Sequence, residues 1–192
     1  MIVKSYTYFA TKGLQILFVR FCFVFILGIG TTLWAQTSGS RNVNLNLQEI
    51  ALLDIEPNTS TLNFSFTAPS EAGNTLTTPS ANTTKWLNYT SAVTVGNTRN
   101  VTAHIDATLP GVAIKIQAGA VAAGGGGTLG VSAGQVTLST TPVNIITGIG
   151  GAYTGNGTNR GHQLTISLEV SDFSELSQTT NEVITITYTI TD

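Results

Sequence analysis

The final stretch of the chain, residues 182–192, reads E-V-I-T-I-T-Y-T-I-T-D. Ile184, Ile186, Tyr188 and Ile190 fall on one side of an extended backbone, and Thr185, Thr187, Thr189 and Thr191 on the other. A period of two built from β-branched residues predicts a half-buried strand, and such a strand needs a sheet to join. The same alternation recurs upstream. Val43, Leu45 and Leu47 alternate with Asn42, Asn44 and Asn46, and the run continues through Ile50, Leu52 and Leu53 to Asp54. This predicts a first strand with a bulge near Glu49, where the alternation changes phase. Pro57, Asn58 and Thr59 break it, and Leu62, Phe64 and Phe66 against Asn63, Ser65 and Thr67 predict a second strand. Residues 69–84, rich in Ser, Thr, Asn and Gly, predict a long surface loop.

In residues 85–95, Leu87, Tyr89, Ser91 and Val93 share a face opposite Trp86, Asn88 and Thr90. After a Gly96-Asn97 turn, Val101, Ala103 and Ile105 alternate with Thr102, His104 and Asp106, so the two runs predict a hairpin. Residues 112–118 form another strand. Residues 119–134 are rich in Gly and Ala, and their backbone is expected to be either mobile or closely packed. Short strands follow from Val136 and over 143–146, then a turn-like stretch of Gly and Asn around Tyr153 over 147–161. Residues 163–170 carry Leu164, Ile166, Leu168 and Val170 inward, with the final strand as the expected partner and Asp172 with Glu175 capping a single helical turn between them. About nine strands, turn-rich connections and no helical period predict an all-β protein, an antiparallel immunoglobulin-like β-sandwich.

The first thirty-five residues obey a different pattern. Lys4, Lys12 and Arg20 lead into the apolar run 21–30 and then T-T-L-W-A-Q, the order of a secretory signal peptide cleaved after Ala35. The run is too short to cross a bilayer, so no stable membrane span is expected after cleavage. The domain plan is a signal peptide over 1–35, a polar tether over 36–42 and one β-sandwich domain over 43–192. A secreted location follows, in the periplasm or at the bacterial cell surface and outside it. The only cysteine, Cys22, lies in the leader, which leaves no disulfide, thiolate metal site or thiol nucleophile in the mature chain. A secreted domain without disulfides leans towards a bacterial source.

Composition narrows the function. Charged residues make up 9% of the chain; three of the eight basic residues precede the cleavage point and all ten acidic ones follow it, leaving the mature domain with a net charge of −5. Nucleic-acid binding calls for clustered Lys and Arg, and none occur. Gly130-Val131-Ser132-Ala133-Gly134 matches G-x-S-x-G, but the residues that follow are strand-like, whereas a nucleophile elbow leads into a helix. Residues 125–130 satisfy G-x-G-x-x-G without the helix that would hold a phosphate. His104 and His162 have no metal-ligand spacing, and neither Asp54 with Glu56 nor Glu169, Asp172 and Glu175 matches a calcium loop. No catalytic residue, cofactor or metal is therefore assigned, and an enzyme is not expected. Two aromatics bear on ligands: Trp86 and Tyr153 would stack a sugar if exposed, although a large aromatic such as Trp86 is expected in the core.

Secretion, low charge, a Thr/Asn/Gly-rich surface and the alternating segment 41–47 resemble bacterial fimbrial or pilin-like subunits. In such families an immunoglobulin-like domain lacks one strand, and a neighbour's N-terminal extension fills the groove. The resemblance implies that Val43, Leu45 and Leu47 are donor-strand residues entering the core of the next subunit. The expectation is a secreted structural or adhesive surface protein whose partners are copies of itself, in a homo-oligomer or fibre, or other surface proteins. The alternative is a secreted carbohydrate- or ligand-binding module using Trp86 and Tyr153.

Overall fold

A computed structural model describes residues 38–192, and the expected signal peptide lies outside the described residues. The chain divides into two units, residues 1–45 and 46–192. In the first, the described residues 38–45 are exposed and carry no regular structure. The second is all-β, with antiparallel pairing throughout. Its strands are β1 (Ile50–Glu56), β2 (Asn82–Ala92), β3 (Arg99–Ile105), β4 (Val112–Val121), β5 (Gly126–Gly127), β6 (Val131–Ser132), β7 (Gln135–Thr137), β8 (Val143–Ile149), β9 (Ala152–Tyr153), β10 (His162–Val170) and β11 (Ile186–Thr191).

One sheet runs β5-β9-β2-β10-β4-β7, with β1 on the other side of β2; the second runs β11-β3-β8-β6. β2 is long enough to serve two partners along one edge, β10 near its start and β9 near its end. The inner faces of both sheets meet in one hydrophobic core. Leu87, Tyr89, Ile114, Ile116, Leu164 and Ile166 come from the first sheet, and Val101, Ala103, Ile105, Ile145, Ile146 and Ile149 from the second. The alternation is cleanest in β3, where every odd residue from Arg99 to Ile105 is buried. Two antiparallel sheets sharing a core have the sandwich-like layout that the strand pattern implied.

Several expectations are corrected. Residues 85–95 and 101–105 do not form a hairpin: the Thr94–Asn97 turn, with Gly96 at φ +93°, carries the chain from the first sheet into the second. Nor does β10 pair with the final strand. It lies between β2 and β4, while β11 joins β3 in the other sheet. The first strand begins only at Ile50 and excludes Val43, Leu45 and Leu47. Leu53 and Ile55 pack on the core, whereas Leu52 points out and is 63% exposed. Residues 61–66 alternate half-buried and exposed as a strand would, yet their backbone bonds to no other backbone group among the described residues. Leu62 and Phe64 pack against the core all the same. The expected helical turn is present as a 3-10 turn, Phe173–Glu175, with the Asp172 carboxylate accepting from Ser174 N–H at 2.8 Å.

The glycine-rich segment proves closely packed. A Cβ at Gly125 would lie 2.5 Å from Tyr153 O, and one at Gly126 would lie 3.0 Å from the Tyr153 ring. Within β5, a Cβ at Gly127 would collide with Gly151 O, so the strand lies against β9 only with glycine there. At one end of the core the Arg99 guanidinium is buried and holds both sheets together. It donates to Asp192 at 2.6 Å, to Glu49 at 2.5 Å and to the backbone carbonyls of Ile50 and Ala92. At the other end of β2, buried Lys85 donates to Pro57 O and to Ser60 Oγ.

Candidate functional site

Two surfaces of the described residues could carry function. The first comprises two separate features, the exposed segment 43–47 and the outer edge of β11. Val43, Leu45 and Leu47 are 87%, 88% and 75% exposed, outside any strand. Three apolar side chains at alternate positions of a short segment, all exposed, hold surface that burial would stabilise by about 1.5–3 kcal/mol per side chain. Among the described residues β11 pairs only with β3 and is an edge strand. The Asp106 N–H donates to Thr185 O, and since backbone groups of an antiparallel strand alternate sides, Thr187, Thr189 and Thr191 also turn theirs towards β3. The N–H and C=O groups of Ile186, Tyr188 and Ile190 therefore point out of the sheet. Their side chains face the core yet remain only half-buried, unlike Val101 and Ala103 opposite them on β3, which are fully buried. Burial is still enough to push the Tyr188 phenol well above its ordinary range.

The second surface is the outer face of the first sheet. Strand register aligns Leu52, Thr90 and Tyr153 across β1, β2 and β9, and aligns Asp54 with Asn88 in the next outward row. Leu52 is 63% and Tyr153 55% exposed, with the smaller Thr90 between them. Large residues flanking a small one leave a concavity of about 350 Å³, lined also by Asp54, Asn88, Gly155 and Asn156. Trp86 is corrected from core to outer face. It stands half-buried opposite Glu56 and Gln163, on the same side of the sheet as Tyr153 but outside the concavity. Asn88 is buried because the loop after β9 covers it; its Nδ2 donates to Gly157 O at 2.9 Å.

The residues of the enzyme-like patterns take part in packing and local hydrogen bonds. Gly130 lies against Ile146 and Ile149, and Ser132 sits in β6 with its Oγ accepting from Gly134 N–H. His162, fully buried, stacks on Tyr89 with ring centroids 5.8 Å apart. Because Gly119 O can only accept, the contact at 2.8 Å makes His162 Nδ1 the donor and leaves Nε2 to accept from the Tyr89 hydroxyl at 3.2 Å. That hydroxyl in turn accepts from Gly130 N–H at 3.1 Å. Each of these polar groups is satisfied only with a neutral imidazole, and burial lowers the His162 pKa against the opposing pull of Gly119 O. His104 stands half-buried on the outer face of β3. No three of His, Cys, Asp and Glu cluster as metal ligands among the described residues, and no described helix is long and apolar enough to cross a membrane.

The reading of the sequence missed Arg99, and no local signal marks it, since its partners Glu49 and Asp192 lie 50 and 93 residues away. It also missed the His162–Tyr89 pair; the inward parity of Tyr89 within β2 was the available hint. No protein-family model, curated protein or solved structure matches this chain.

Proposed function

We propose that this is a secreted structural or adhesive protein of the bacterial cell surface, an immunoglobulin-like sandwich that assembles into a fibre or oligomer by strand donation. The donor is residues 43–47 of one copy and the acceptor is the outer edge of β11 in the next. One observation carries the reading: Val43, Leu45 and Leu47 alternate with Asn as a strand would, but stand exposed without a partner among the described residues. The free backbone groups and half-buried inner face of β11 offer what that segment lacks. A donated strand would pair its backbone there and shield Ile186, Tyr188 and Ile190.

The test is solution mass by light scattering for residues 36–192 and for the same chain lacking 36–47, which keeps Glu49 and its bond to Arg99. Strand donation predicts a concentration-dependent series of oligomers in the first and a folded monomer in the second, with assembly blocked by Leu45→Asp in the longer chain. A longer chain that stays monomeric at every concentration, or oligomers that survive both changes, would remove the proposal.

A further inference from the structure

We propose that the concavity on the outer face of the first sheet binds a neutral carbohydrate, with Tyr153 as its stacking platform. This rests on different residues from the assembly reading and does not depend on it.

The platform is built rather than incidental. Tyr153 belongs to β9, which is held between β2 and β5, and one side of its ring lies against Gly126, where a Cβ would stand 3.0 Å from the ring. The ring is thus backed by backbone and still 55% exposed. Leu52, two strands away in the same row, stands about 10 Å off by strand spacing, and Thr90 forms the floor between them. Such a trough takes a flat ring with apolar faces and a polar rim, which describes a pyranose.

The rim has the matching chemistry. Asp54 occupies the next row, beside Asn88, and one of its carboxylate oxygens accepts from Ile55 N–H while the other is free of bonds to the described residues. Asn156 lines the edge and Thr90 the floor, so hydroxyl, amide and carboxylate groups surround the aromatic face. No Lys or Arg lines the concavity, and its one charged residue is acidic. Phosphorylated, sulfated and uronic-acid ligands are therefore disfavoured, and a neutral sugar, whose hydroxyls both donate and accept, fits. The glycine run in residues 124–127 acquires a purpose in this reading, because it lets β5 approach closely enough to fix the ring.

The test is titration of the ¹⁵N-labelled protein, residues 36–192, with cellohexaose, maltohexaose, mannohexaose and chitohexaose, following amide shifts by NMR. The expected result is saturable shifts at Leu52, Asp54, Thr90 and Tyr153 with at least one of the four, weakened at least tenfold by Tyr153→Ala and largely retained in Tyr153→Phe. Tyr153 faces solvent, so Tyr153→Ala should stay folded, as an otherwise unchanged amide spectrum would verify. Absence of saturable shifts with all four sugars up to about 10 mM, a concentration reaching weak millimolar affinities, would overturn the proposal. So would binding that Tyr153→Ala leaves intact.

Discussion

The buried imidazole of His162 makes stability depend on pH in a way that can be worked out beforehand. In the folded chain burial lowers its pKa, and the bonds to Tyr89 and Gly119 are satisfied only when the ring is neutral. In the unfolded chain it titrates near 6.5. Above that pH both states hold a neutral ring and the full stability is present. Below it the unfolded chain binds a proton that the folded chain does not, so stability falls as pH drops towards the folded pKa. The slope approaches about 1.4 kcal/mol per pH unit. Because the unfolded ring is already half protonated at pH 6.5, the loss between pH 6.5 and 5.0 is at most about 1.7 kcal/mol. Asp106 and Asp172 have pKa values held below 3.8 by hydrogen bonds from Thr185 and Ser174, so they do not titrate in that window.

The comparison that isolates the effect is His162→Phe, which keeps an aromatic ring beside Tyr89 and removes the titration. Its stability should be lower by roughly 1–3 kcal/mol at pH 7, because the Tyr89 hydroxyl and Gly119 carbonyl lose their partner. The informative quantity is the slope. Urea unfolding followed by fluorescence of Trp86, the single tryptophan of residues 36–192, should show the wild-type midpoint falling by up to about 1 M between pH 6.5 and 5.0. The His162→Phe midpoint should move far less. Equal slopes in the two proteins would refute the argument, because the pH dependence would then come from other groups.

Arg99→Ala removes the donor that joins both sheets at one end and strands the Ile50 carbonyl; an unfolding curve should show a loss of about 2–4 kcal/mol, discounted for the exposed carboxylates of Glu49 and Asp192. Gly130→Ala places a Cβ 2.6 Å from Ile149 and 2.7 Å from Ile146, so thermal unfolding should report a loss of about 1–3 kcal/mol, or several degrees in Tm.

The local repertoire of this protein is legible in its residues taken a few at a time. A period of two set the strands, Gly-Asn and Pro signals set their ends, and Asp172 announced its helical turn, because each depends on neighbours within a few residues. The segments flanking Trp86 were assigned to the correct faces for the same reason. Which strand pairs with which emerges only when the sheets close. Strands of Ile, Val and Thr are nearly interchangeable as partners, so β2 and β3 read as a hairpin although the turn between them changes sheets. Strand 163–170 could equally be matched to the chain end by pattern, yet β2 and β4 enclose it. Residues 61–66 show that alternation reports burial on one side and says nothing about a backbone partner. The candidate sites divide along the same line. The donor row Val43, Leu45 and Leu47 was legible as a period, whereas its exposure was not. Tyr153 was visible as an aromatic among glycines, but its row with Leu52 and Thr90 arises from two strand pairings across about 100 residues of sequence. Only closing the sheets brings such positions together.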